Sequence, residues 1–328
     1  MNEQKPTVPF ADRAPVVREV ASVPRPRRGP IAQIRKWLSF VRFSHTIFAM
    51  PFGLAGMAVA ARENRGWPGW RTFLLIVAAM VCARTCAMAF NRIVDRRFDA
   101  LNPRTAHRHL PTGQISLASA WTLWALSGAG LVLTSWFLNP LCFVLSPVAL
   151  FVLCFYSVTK RFTPYTHVFL GVALALAPVG AWLAVKGGDL TWWDGLRMAA
   201  LAAAVIFWVA GFDIIYSIQD FEFDRRHGLH SLPVAWGPHN ALLAAFLSHM
   251  IMMALLLLFG LLCRFRVAYL VGWFLILLCV LLEHWIARRR SLNWVQTAFF
   301  RLNAVISVIF LAVTLAEVVF QGGFRLRL

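Results

Sequence analysis

The chain has 328 residues, of which 59% are hydrophobic and only 14% charged, against roughly 25% charged in an average soluble domain. That excludes a disordered chain, a collagen and an ordinary soluble globule, and leaves a polytopic membrane protein. The formal net charge is +18, from 32 Lys and Arg against 14 Asp and Glu. No nucleic-acid recognition motif accompanies this excess, so membrane lipids rather than nucleic acid are the expected partner of the basic residues.

In chain order, residues 1–36 read as a disordered basic cytoplasmic tail. They carry Pro6, Pro9, Pro15, Pro24, Pro26 and Pro30 and the run Pro24-Arg25-Pro26-Arg27-Arg28-Gly29-Pro30, and proline both fixes φ and removes a donor. No apolar stretch long enough for a signal peptide precedes residue 37, which points to a bacterial inner membrane. Nine apolar segments come next, near 37–60, 72–91, 116–137, 141–158, 166–185, 197–219, 241–263, 268–287 and 299–320. They are too long and too evenly apolar for barrel strands, and backbone groups in lipid must be satisfied within the segment, so all nine are expected as helices. The fold class is all-α, a single helical bundle over residues 37–328. The six cysteines (82, 86, 142, 154, 263 and 279) form no Cys-x-x-Cys pair and read as small buried hydrophobes.

With the tail inside, the tail and the loops 92–115, 159–165, 220–240 and 288–298 hold twenty Lys and Arg, and the outside loops and C-terminus hold nine. The bias sets the N-terminus in the cytoplasm.

Six of the fourteen acids fall in two short segments. The first runs from Asn91 to Asp99 and contains Asp95. The second runs from Asp213 to Asp224 and contains Tyr216, Asp220 and Glu222. Each closes the cytoplasmic end of a helix running outward to inward. At i,i+4 spacing, Asn91, Asp95 and Asp99 form one stripe of oxygen ligands and Asp220 and Asp224 another. Like charges at this spacing repel, and a helix C-terminus already carries partial negative charge, so the arrangement calls for a cation. Carboxylate and amide oxygens suit Mg²⁺ shared with phosphate oxygens. The plainer alternative is ion pairing with Arg96, Arg97, Arg225 and Arg226 on a solvated loop. Two motifs of matched spacing, on helices of matched direction, favour the metal.

The halves repeat. Asp95 and Asp220 lie 125 residues and four spans apart, and each motif precedes a Leu-Pro and a glycine: Leu110-Pro111-Thr112-Gly113 and Leu232-Pro233 through Gly237. Two four-helix repeats plus one helix, with a site at the repeat interface, are expected. Tyr156 and Lys160 end the fourth helix on the same side, followed by Arg161, and Arg104 and Arg108 lie in the first cap loop. Mg²⁺ with Lys and Arg is what a diphosphate needs for binding and for departure. A cation-coupled transporter is disfavoured, because its acids belong near the midplane rather than at one face.

These residues resemble the UbiA family of intramembrane aromatic prenyltransferases. The resemblance rests on Asn91-x-x-x-Asp95-x-x-x-Asp99, Arg104-Thr105-x-x-Arg108-x-Leu110-Pro111-x-Gly113, Tyr156-x-x-x-Lys160-Arg161, Asp213-x-x-Tyr216-x-x-x-Asp220-x-x-x-Asp224 and Gly228-x-x-Ser231-x-Pro233, and it spans residues 37–320. Phe43-Ser44-His45-Thr46-Ile47-Phe48, Asn102-Pro103-Arg104-Thr105 and Gly211-Phe212-Asp213-Ile214-Ile215-Tyr216 look like the 4-hydroxybenzoate polyprenyltransferase-like branch of ubiquinone synthesis; a menaquinone branch acting on a dihydroxynaphthoate shares this look. Two positions depart from the family pattern: Arg92 follows Asn91, and His109 stands where the first proline of Arg-Pro-Leu-Pro is common.

The resemblance implies nine helices around a central cavity capped by cytoplasmic loops. It implies Mg²⁺ at Asn91, Asp95 and Asp99 and at Asp220 and Asp224, a polyprenyl diphosphate held by Arg104, Arg108, Lys160 and Arg161, and shielding of an allylic cation by Tyr156 and Tyr216. The acceptor is then a hydroxylated aromatic acid, with haem, chlorophyllide and homogentisate as the other acceptors of this chemistry. Arg42 and His45 are candidates for holding the acceptor's carboxylate or phenol, and Asp213 for orienting it. Glu283, Glu317 and His249 have no partner by spacing and read as structural.

Overall fold

The structure is a computed structural model that describes residues 29–42, 46–63, 66–289 and 292–321. Most of these residues are helical, and none of them is in a strand. The helices are α1 (Pro30–Phe40), α2 (Thr46–Glu63), α3 (Trp70–Leu101), α4 (Leu117–Leu138), α5 (Pro140–Thr159), α6 (Thr166–Lys186), α7 (Trp192–Ser217), α8 (Phe221–Arg226), α9 (Leu232–Leu262), α10 (Val267–Arg289) and α11 (Leu292–Gln321). Among them, eight are long and apolar enough to cross a membrane, one of these being α7 taken through α8; α2 contributes a shorter apolar helix over Phe48–Arg62. Eight spans plus α2 account for the nine expected segments, and the chain is an integral membrane protein.

Three boundaries differ from those read off hydropathy. The first segment, 37–60, is two helices, with a turn at Val41–Arg42 between α1 and α2. Arg42 has φ 46° there, a conformation in which a non-glycine residue cannot continue a helix. α1 also begins inside the stretch expected as tail. Its Ile31, Ile34 and Leu38 share one side by spacing, as in a helix lying in a membrane interface. α3 runs ten residues past its apolar stretch, to Leu101, and so carries Asp95 and Asp99 on the helix, as their i,i+4 spacing predicts. The chain divides into one unit through Trp37 and a second from Leu38 onward, and the second carries both acidic motifs.

The starts of the spans are capped locally. Ser116 accepts from Ser119 N–H at 3.1 Å, Asn139 accepts from Cys142 N–H at 2.9 Å, and Thr191 and Asp194 form a reciprocal capping box. α7 is the axis of the bundle: 61% of its apolar stretch is buried, against 22–44% for the other long spans. It packs on α6 and α9, α2 packs on α6 and α11, and α3 packs on α4 and α5. Lipid tails give helices no hydrophobic reason to associate, so small residues and close packing decide. A Cβ on Gly171 of α6 would lie 2.6 Å from the Ile206 carbonyl oxygen of α7, and one on Gly56 of α2 would lie 2.9 Å from that of Pro178. Phe52 fills the centre, 4.7 Å from the Phe310 ring and 4.8 Å from the Trp208 ring.

Residues that read as isolated in sequence are joined between helices. Trp208 Nε1 donates to Asn303 Oδ1 (2.8 Å), and Asn303 Nδ2 donates to Glu283 Oε1 (3.0 Å). His249 meets His284 at 2.9 Å, and Glu317 accepts from Tyr269 N–H at 3.0 Å. These bonds tie α7 and α9 to α10 and α11, the structural part expected of His249, Glu283 and Glu317.

Candidate active site

α3 and α7 run the same way, and their polar ends come together at one end of the bundle. The loop after α3 makes the join. Asn102, the C-cap of α3, donates through Nδ2 to Asp220 Oδ1 at 3.0 Å and accepts from the Arg104 backbone N–H at 2.9 Å. This turns Arg104 toward α7. Its Nε donates to Asp220 Oδ1 at 2.9 Å, its Nη2 to Asp220 Oδ2 at 2.5 Å and its Nη1 to the Tyr216 hydroxyl at 2.9 Å. Burial pulls the Arg104 guanidinium down, but the carboxylate and hydroxyl it grips outweigh that and hold it above its ordinary value. Four residues on, Arg108 Nη1 donates to Asp99 Oδ1 at 2.6 Å, while Thr105 Oγ1 donates to the Asp99 carbonyl.

The turn between α5 and α6 straddles both motifs. Lys160 Nζ lies 2.7 Å from Asp224 Oδ2, and the adjacent Arg161 lies 3.5 Å from Asp95 Oδ1 and donates to the Val94 carbonyl. Two consecutive cations thus reach one acid from each motif. The second cap loop is held to the same turn, with His230 N–H donating to the Lys160 carbonyl at 2.7 Å. The pairing expected on a solvated loop forms at one place, between Arg225 and Glu222 on α8, whereas the four aspartates pair with Arg104, Arg108, Lys160 and Arg161.

The two stripes are less regular than i,i+4 spacing implies. Asn91 Nδ2 donates to Asp95 Oδ2 at 2.9 Å, so these two are together, but Asp99 turns to Arg108, with Arg92 at 3.9 Å. α7 stops at Ser217 and tightens into a 3₁₀ turn over Ile218–Asp220 before α8, so Asp220 and Asp224 point to different cations. Tightening of this kind is common at helix ends. Among the described residues, no three His, Cys, Asp or Glu side chains gather closely enough to enclose a metal. Asp99 Oδ2 and Asp224 Oδ1 are nevertheless buried and accept no hydrogen bond. Open sites of one or two carboxylate oxygens, completed by water and phosphate, are what Mg²⁺ takes, and the residues present fit that mode.

Tyr156 lines a cavity of about 260 Å³ between α2, α3, α4, α5 and α6. Its walls are apolar, including Met80, Leu131, Leu153 and Leu176, with Arg84 and Tyr156 among the few polar groups. Asp213 meets His167 of α6, Oδ2 to Nδ1 at 2.7 Å. Leu232 N–H donates to His167 Nε2, which leaves Nδ1 to donate to Asp213. Arg42 is in the turn before α2. His45 lies outside the described residues. Sequence reading missed Asn102, His167 and Arg84; the one signal for Arg84 was a charge inside an apolar segment.

Comparison with known proteins bears on the family and the fold. The model of the UbiA prenyltransferase family matches residues 49–305. Curated relatives include the 4-hydroxybenzoate octaprenyltransferase of Vibrio campbellii, 29% identical over 60% of this chain and 67% of its own length, and that of Vibrio vulnificus, 30% identical over 56% and 62%. That of Tolumonas auensis is 28% identical over 77% of this chain and 86% of its own. The chain therefore spans only about three fifths to two thirds of several relatives it matches. Among solved structures, the apo form of a UbiA homologue from Aeropyrum pernix K1 superposes with TM-score 0.76 at 34% identity, covering 84% of this chain and 98% of that one. A UbiA homologue from Archaeoglobus fulgidus, bound to GPP and Mg²⁺, shares the fold with TM-score 0.67 at 24% identity, over 86% and 99%. The chain belongs to the UbiA prenyltransferase family.

Proposed function

We propose that the protein transfers a polyprenyl group from polyprenyl diphosphate to a ring carbon of a hydroxylated aromatic acid, in the bacterial inner membrane and with Mg²⁺. The observation that carries this reading is the Lys160–Arg161 pair bridging the two acidic motifs. The chemistry supplied by Mg²⁺ is neutralisation of the diphosphate as it leaves. Asn91, Asp95 and Asp99 on one side and Asp220 and Asp224 on the other would hold it. Arg104, Arg108, Lys160 and Arg161 bind the phosphate oxygens by charge-assisted hydrogen bonds. Tyr156 and Tyr216 offer ring faces to the allylic cation, and the apolar cavity takes the start of the isoprenoid chain. Arg42 and His45 hold the acceptor, and Asp213, fixed by His167, orients its hydroxyl. The names of the curated relatives favour 4-hydroxybenzoate; a dihydroxynaphthoate suits the same residues. Membranes containing the protein, given Mg²⁺, a polyprenyl diphosphate and a panel of phenolic acids, are expected to yield a C-prenylated acid by mass spectrometry. Product on haem, chlorophyllide or homogentisate alone, or ion flux in proteoliposomes without covalent product, contradicts the reading.

A further inference from the structure

α1 (Pro30–Phe40) has two opposite faces. Ile31, Ile34 and Leu38 are 75%, 60% and 43% exposed. At about 100° per residue they fall within roughly 60° of one another round the helix, with Arg35 bordering the row on one side and Trp37 on the other. Phe40 lies about 160° round from Leu38 and is buried, its ring meeting the His109 ring of the first cap loop at 6.1 Å and 86°. That contact sets the end of α1 at the end of the bundle where Arg104 and Arg108 pair with acids. It also turns Leu38 away from the loop.

Charge and continuity say what covers the row. From Val20 to Arg42 the chain carries Arg25, Arg27, Arg28, Arg35, Lys36 and Arg42 and no acid. α1 ends at Phe40 and the apolar helix α2 begins at Thr46, so the end of α1 lies at the membrane boundary. One row of three aliphatic side chains is too narrow for a stable protein interface, which buries about 800 Å² on each partner. It suits the layer where acyl chains meet headgroups, because aliphatic groups enter the chains there while cations reach the phosphates. The Lys36 ammonium, 6.0 Å from the Trp37 ring, joins a cation to an aromatic of the kind enriched in that layer. We propose that α1 docks on anionic lipid. Ile31, Ile34 and Leu38 enter the acyl boundary of the leaflet on the side of the acidic motifs, and Arg35, Lys36 and the arginines before them meet its negative headgroups. This contact is independent of which acceptor the site takes.

The test uses the full chain, its six cysteines replaced, in nanodiscs of phosphatidylcholine alone or mixed with phosphatidylglycerol. A nitroxide is attached at Ile34→Cys, on the row, or at Gln33→Cys, off it. Its depth is read from collisions with oxygen and with a water-soluble nickel complex. Leu38→Cys repeats the measurement with Ile34 in place. In the anionic bilayer the labels at Ile34→Cys and Leu38→Cys are expected in the acyl boundary and the label at Gln33→Cys in water. Removing phosphatidylglycerol, or adding Arg35→Gln with Lys36→Gln, should lower the ratio of docked to free helix about tenfold or more. Equal depth in the two bilayers overturns the choice of anionic lipid. Labels on the row that stay open to the nickel complex in both overturn the docking itself. Labels shielded from oxygen and nickel alike, whatever the lipid, mean that protein covers the row, a second copy if light scattering gives a dimer, and overturn it as well.

Discussion

Asp220 is gripped by both Asn102 and Arg104, whereas Asp95 meets, among the described residues, the amide of Asn91 and the more distant Arg161. Both are needed if the two motifs share one diphosphate. Asp95→Ala and Asp220→Ala are each expected to cut transfer by at least about 100-fold, as loss of a preorganised electrostatic group does, while the protein still inserts; assay of the purified variants checks this. Lys160→Met removes the cation from Asp224 and is expected to raise the donor KM about tenfold or more with little change in the acceptor KM. The acids were readable because carboxylates are rare in this chain and repeat at helical spacing. Which cation meets which acid was not, because Arg104, Arg108, Lys160 and Arg161 reach the acids through loops that cross between helices. Asn102 and His167 likewise act on residues 118 and 46 positions away, Asp220 and Asp213, and no periodicity records such contacts.

Elements pack here through small residues and a few buried polar bonds. Gly171→Val would drive a side chain into the backbone of α7 and is expected to lower thermal stability in detergent by the roughly 1–3 kcal/mol typical of overpacking. Asn303→Leu would leave Trp208 Nε1 and Glu283 Oε1 without their partner deep in the bundle. A loss of about 1–3 kcal/mol for each stranded group is expected, seen as a lower unfolding temperature with unchanged donor KM. Hydropathy located the helices well: among the described residues, eight of the nine apolar stretches became helices long enough to span, and the first became α1 and the shorter α2. It misplaced their ends where chemistry rather than lipid decides. α3 continues past the apolar stretch because Asn102 caps it late, and α7 stops where its acids turn toward different cations.

At the scale of the molecule, the halves repeat in conformation as well as in motif. Gly113 and Gly237, one after each acidic helix, both have positive φ (71° and 81°), which a side chain would strain. The excess of basic residues predicts which way the bundle faces. A single cysteine introduced at Thr112, in a background lacking the six native ones, is expected to resist an impermeant thiol reagent added to intact cells, whereas one at Asp189 should react. The reverse pattern would invert the orientation. The most direct test of one shared diphosphate site is Mg²⁺-dependent binding of a non-cleavable prenyl thiolodiphosphate to the wild type, Asp95→Asn, Asp220→Asn and the double variant. Groups that act on one ligand are non-additive. The expected result is that chelation or either single substitution removes most of the binding and the double substitution removes little more. Full binding by either single variant, or losses that simply add, would contradict it.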